Sequence, residues 1–167
     1  MIYTIGYSNR TLPEFLGELR KRSITQLIDV RSSPWSRNAA FNAPQIERWS
    51  ERAGIMYRGY GGVLGGRSDI TTDDPRYADA LDEILDKAGR EPIVIMCAEG
   101  DPAQCHRSWD VGASLLLRYG QIVTSILRDG RHEDLADTLA RTNPSRIGVS
   151  VTKGLQNAKI MPQTMLF

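Results

Sequence analysis

The segment Cys97-Ala-Glu-Gly-Asp-Pro-Ala-Gln-Cys-His-Arg107 holds both cysteines of the chain and one of its two histidines. It follows the apolar run Pro92-Ile-Val-Ile-Met96, which reads as a buried strand, and it precedes a helical pattern from Ser108 to Tyr119. Ionisable groups in such a loop sit at a strand's C-terminal end, where open α/β sheets bind ligands. Three chemistries fit the residue types. Glu99 and Asp29 with His106 form a general acid–base set, the carboxylates being orientable by Arg31 or Arg107. Cys105, beside Arg107 at the start of a helix, has the setting of an acidified, nucleophilic thiol. Cys97, Cys105, His106 and Glu99 are also metal-ligand types, but Cys105 and His106 are adjacent and no Cys-x-x-Cys pair exists, so neither metal nor cofactor is expected. The plain alternative is that the thiols pack in a core and an Asp–Arg pair only fixes loops.

Elements able to position these groups alternate along the chain. Strands are expected at 2–7, 26–30, 55–60, 93–97 and 122–127. Helices are expected from Thr11, whose capping box ends in Glu14, to about Arg22, then at 43–53, 75–88, 105–119 and from about Glu133 to Arg141. Strands separated by helices require crossovers, so the expected fold is α/β: one three-layer αβα domain over 1–143 with a mostly parallel sheet of about five strands, and a tail from 144 to 167. Tyr7 and Ser8 follow the first strand, Asp29 and Arg31 the second, and the glycine-rich stretch 59–66 the third. Cys97, Glu99, Cys105, His106 and Arg107 follow the fourth. In a parallel sheet all of these meet at one edge, with Tyr7, Ser8, Arg31, Arg37, Gly65, Gly66 and Arg107 on the substrate-binding side.

Composition sets the broad class. With 167 residues, 41% of them apolar and 25% charged, the chain has enough material for one full core. It shows no secretory pattern at its start and no membrane-length apolar run, and two cysteines make no disulfide framework. A cytoplasmic setting is therefore expected. Net charge is only +1, but it is unevenly spread. Residues 31–67 carry six arginines against two glutamates, together with Trp35, Phe41, Trp49, Tyr57 and Tyr60, whereas residues 68–101 carry ten acids against three bases. Arginines interleaved with aromatics suit phosphates and stacked bases; the simpler reading makes Phe41 and Trp49 core residues.

At Thr4-Ile-Gly-Tyr-Ser8, Asp29-Val-Arg31, Ser33-Pro34, Ser36-Arg37, Leu64-Gly-Gly66, Cys97-Ala-Glu99 and Cys105-His-Arg107 the chain resembles the domain-of-unknown-function 488 family. The resemblance spans residues 4–107 in order and implies a fold and a site rather than a reaction. The family pattern often has histidine where this chain has Tyr7, so a mechanism needing that histidine would need Tyr7 to replace it. A fainter similarity to rhodanese-like domains lies in Asp29-Val-Arg31 and Arg107-Ser108, but ten residues separate Cys97 from Arg107, too many for a one-turn anion cradle.

These features together lead us to expect an enzyme acting on nucleic acid or a nucleotide-like substrate, in repair or base modification, by hydrolysis or base excision. The alternatives are a non-catalytic nucleotide- or phosphate-binding module and rhodanese-like thiol chemistry. The terminal Gln163-Thr-Met-Leu-Phe167 resembles a bacterial sliding-clamp-binding pentapeptide, with Gln163 making polar contacts and Leu166 and Phe167 filling apolar pockets. Burying those two side chains contributes roughly 3–6 kcal/mol of gross apolar transfer, and ordering the tail offsets part of it. Replacing both by alanine is expected to abolish micromolar binding to a sliding clamp while leaving the melting temperature nearly unchanged. A large fall in melting temperature would make the tail a strap on its own domain.

Overall fold

The computed structural model describes residues 1–142; the tail with Gln163, Leu166 and Phe167 lies outside the described residues. The elements are β1 (Ile2–Gly6), α1 (Leu12–Lys21), β2 (Gln26–Asp29), α2 (Ala43–Arg52), β3 (Met56–Gly59), α3 (Gly61–Leu64), α4 (Pro75–Arg90), β4 (Ile93–Cys97), α5 (Ala113–Tyr119), β5 (Val123–Ile126), β6 (His132–Asp134) and α6 (Leu135–Arg141). The sheet order is β3-β2-β4-β1-β5-β6, with the first five strands parallel and β6 antiparallel to β5.

Strand periodicity distributes the core. In β4, Ile93, Ile95 and Cys97 join Ile2, Ile28, Tyr77, Leu81, Ile84, Val111 and Leu115 on the face covered by α4 and the helix after β4. Val94 and Met96 point the other way, into Phe15, Leu19, Ile46 and Trp49 of α1 and α2. A strand buried on both faces reads as a continuous apolar run, which is how 93–97 appears in the sequence. The result is three layers, α1 and α2 against α4 and α5. Consecutive crossovers thus leave β2 and β4, two neighbouring strands, toward opposite faces. Between such strands a crevice opens at the carboxyl ends.

The α/β fold with a mostly parallel sheet is borne out, with two differences of detail. The sheet has six strands, because residues 132–134 pair with β5 across a tight turn containing Gly130 at φ 82° and only then enter α6. A three-residue strand is too short to show a period, so it merged with the helical pattern behind it. The helix expected over 105–119 instead begins as a π-helical turn, Arg107–Gly112, and becomes α-helical at Ala113. Single π-turns recur beside functional sites, where they offset a side chain from the regular helical track.

The capping box at the start of α1 also ties the first crossover to the loop after β5, the strand beside β1. Glu14 accepts from the Thr11 backbone N–H at 2.7 Å and from Arg128 Nη1 at 3.1 Å. The Thr11 amide first, then Arg128, pull its carboxyl down to about 2. A depressed carboxyl contributes stability that is present above its unfolded value and is lost as pH falls through the folded one. The Glu14 side-chain resonance is therefore expected to titrate near pH 2 by NMR, and to move upward in Arg128→Ala. A midpoint at the ordinary carboxylate value would remove this link.

Candidate functional site

A cleft of about 510 Å³ opens at the carboxyl edge of the parallel strands. Tyr7 after β1, Arg31, Ser32, Ser33 and Trp35 after β2, Gly66 and Arg67 after β3, and Cys97, Glu99, Gln104, Cys105 and His106 after β4 all line it. A larger hollow of about 680 Å³ lies at the opposite, amino edge, around Gln26, Met56 and Glu91, but it contains no thiol or imidazole. Both cysteines and His106 line the smaller cleft.

Its floor is a cluster of three groups. Cys97 and Cys105 are buried, at 5% and 2% exposure. His106 Nδ1 lies 3.8 Å from Cys97 Sγ and 4.0 Å from Cys105 Sγ. His106 Nε2 lies 3.0 Å from the Val30 carbonyl oxygen, which only accepts, so Nε2 carries a proton and donates it. In the neutral ring, Nδ1 therefore presents its lone pair to both sulfurs. Cys105 close by, together with burial, pushes the Cys97 thiol up. The neighbouring Cys97, with help from His106 and the Arg107 guanidinium, pulls the Cys105 thiol down against burial. His106 is held above its ordinary value, because the Cys105 thiolate outweighs the burial that opposes its charge.

Several expected site residues prove to be supports. Asp29 is 1% exposed and does not line the cleft; its carboxylate accepts from Arg31 Nε and Nη2, the Arg31 backbone N–H and Tyr57 Oη. Arg31 Nη1 donates to the Phe41 carbonyl at 2.8 Å, and its guanidinium lies 5.2 Å from the Tyr7 ring centroid. Burial opposes the Arg31 charge, but Asp29 more than compensates and raises its pKa. Asp29 is thus placed as the counter-ion of Arg31. Arg107 is completely buried and donates to the backbone carbonyls of Glu99 and Gly100, so it braces the loop and does not line the cleft.

Ser8 donates to the Ala98 carbonyl and lines a neighbouring hollow, not this cleft. The glycines act through close approach. A Cβ on Gly65 would lie 2.5 Å from Ser32 Oγ and 2.2 Å from the Gly61 carbonyl oxygen, while one on Gly66 would lie 2.8 Å from His106 Cγ. They let the third loop press against the site and hold the imidazole. Arg37 is exposed on the loop that carries Trp35, outside the cleft lining.

Trp35, Arg67 and Gln104 line the cleft without having been expected as site residues. Trp35 carried a signal, being an aromatic among arginines. Of its companions, Phe41 and Trp49 are core residues and Tyr57 is half-buried against Asp29, whereas Trp35 is 66% exposed. Among the described residues no helix is long and apolar enough to cross a membrane.

The two readings of Asp29 predict different outcomes. As a counter-ion, Asp29→Asn leaves the Arg31 guanidinium buried without its charge partner, at a cost of about 3–5 kcal/mol. The Asp29→Asn/Arg31→Leu double variant is expected to lose much less than the sum of the single changes in urea denaturation. A stable but inactive Asp29→Asn protein would instead make Asp29 part of the chemistry.

The family model described as domain of unknown function DUF488 matches residues 11–110, a span that includes the second and third loops and the whole Cys97–Arg107 segment. No curated protein and no solved structure matches the chain. The residues that build the cleft and the matched span together establish that this chain belongs to the DUF488 family.

Proposed function

We propose that this protein is a hydrolytic enzyme acting on a nucleic acid or nucleotide-like substrate, in base modification or repair. The observation that carries this reading is the cleft's division of labour. An exposed indole, Trp35, stands at its mouth with Arg67, Glu99 is exposed beside them, and the Cys97–Cys105–His106 cluster forms the floor. An indole face stacks on any base, and a guanidinium binds phosphate oxygens in a bidentate fork. The cleft has the volume of a small-molecule pocket. It suits one extruded or single-stranded base, since a duplex would have to unstack the target first. In this assignment Trp35 stacks the base, Arg67 and Arg37 hold phosphate, and Glu99 exchanges protons with water and the leaving group. The tail pentapeptide fits the same setting, as a tether to a sliding clamp on DNA.

A second reading, rhodanese-like thiol chemistry, draws on the lowered Cys105 thiol. It requires a persulfide on Cys105 after incubation with thiosulfate, visible as the mass of one added sulfur. None is expected.

Trp49 and Trp109 are buried, so fluorescence quenching by an external ligand reports mainly on Trp35. Single-stranded DNA is expected to quench it, with affinity falling steeply as salt rises. Trp35→Ala should weaken binding by about 1–3 kcal/mol, and Arg67→Ala should lower the salt slope by about 1. Glu99→Gln should bind normally but turn over a modified base roughly 10²–10⁴-fold more slowly. Binding indifferent to salt and to Trp35 would overturn the nucleic-acid assignment. Tight, Trp35-dependent binding with no turnover of any modified base would make the site a recognition module.

A further inference from the structure

We propose that Cys97, Cys105 and His106 bind a divalent transition-metal ion of the zinc class, His106 through Nδ1, with a fourth coordination position open to the cleft. The ligand atoms of these three residues all lie within 4.8 Å of one another. With metal–sulfur bonds of about 2.3 Å and metal–nitrogen bonds of about 2.0–2.1 Å, a tetrahedral site has sulfur–nitrogen edges of about 3.5 Å. The observed edges of 3.8 and 4.0 Å need to close by only a few tenths of an ångström.

Adjacency of Cys105 and His106, which counted against a metal in the sequence, is no obstacle here. Cys105 is extended (φ −130°, ψ 135°) and His106 is helical (φ −58°, ψ −23°), so the backbone turns between them and both side chains reach one point.

Three further features fit a ligand set. The His106 Nε2–H bond to the Val30 carbonyl is the outer-shell arrangement that fixes a metal-bound imidazole's tautomer and aim. Gly66 leaves room for that ring and no more, which sets its orientation. Two thiolates and one neutral imidazole also neutralise a divalent ion, so the loaded set carries no net charge.

The Glu99 carboxylate is outside the three-residue group, so it is not a ligand in this geometry. Two cysteines and a histidine on zinc, with a glutamate beside rather than on the metal, is the donor set with which base deaminases activate water. Water at the open position would serve the hydrolysis proposed above, with Glu99 as its proton acceptor. That role rests on the hydrolytic reading; metal binding does not.

The test uses the full chain, stripped with a chelator and titrated with Co²⁺. One equivalent is expected to bind, with thiolate-to-cobalt charge-transfer absorption in the near ultraviolet and the intense visible bands of a tetrahedral site. Gly66→Ala, which keeps all three ligands but crowds the ring, should weaken binding about 10–100-fold, the usual cost of disturbing an outer shell. Cys105→Ser should weaken it further and remove much of the charge-transfer band. If the cysteine variant fails to fold, thiol titration of the unaltered chain decides. Both cysteines should resist a disulfide reagent when zinc is bound and react once it is chelated. A folded, stripped chain that shows no charge-transfer band with Co²⁺, or thiols equally reactive with and without zinc, would overturn the proposal. Metal binding that persists in Glu99→Gln, or in a chain that hydrolyses no modified base, upholds the site while leaving the hydrolytic reading to fail by itself.

Discussion

A guanidinium removed from water must have its donors met and its charge answered, and two such groups hold the cleft in shape. Arg31 meets the requirement with Asp29 and the Phe41 carbonyl, and in doing so it joins the end of β2 to the turn before α2, to Tyr57 of β3 and to the Tyr7 ring after β1. Arg107 meets most of it with the carbonyls of Glu99 and Gly100, clamping the ends of a loop too long to be rigid by itself. Its Nε finds no partner among the described residues. Removing one partner from a buried pair costs far more than the pair contributes net. These contacts therefore define geometry more than they add stability.

With the supports assigned, the groups left to do chemistry are few. Asp29, Arg31, Arg107, Gly65 and Gly66 hold in place the loops that form the cleft. Cys97, Cys105 and His106 make a floor whose protons are distributed by mutual contact: burial alone would raise both thiols, and their proximity to each other and to His106 splits them apart. Glu99, Trp35 and Arg67 face solvent at the mouth.

The sheet order explains why one cleft collects loops from four strands. β4 lies between β2 and β1, and the connections after these strands part toward opposite helical layers. The crevice between them needs no special residue to open it. What it does need is close approach of the third loop, which the absence of a Cβ at Gly65 and Gly66 permits, and a turn between Cys105 and His106, which the change from extended to π-helical backbone provides.

The alternation of apolar runs with amphipathic helices was enough to determine the parallel α/β layout and the edge at which Tyr7, Arg31, Glu99, Cys105 and His106 would meet, because strand and helix periods are local properties of the chain. The capping box at Thr11–Glu14 and the buried character of 93–97 were legible for the same reason. The short β6 was not, since three residues carry no period, nor was the π-turn, whose composition matches that of an ordinary helix. Division of labour among the polar residues also lay beyond the sequence. Asp29 and Glu99 are both carboxylates after strands, and only the packing places one at 1% exposure against Arg31 and the other in solvent. Likewise, adjacent Cys105 and His106 seem a poor ligand pair in one dimension. Tertiary structure brings Cys97 and the Val30 carbonyl to them from separate strands, and so decides which nitrogen of His106 faces the thiols.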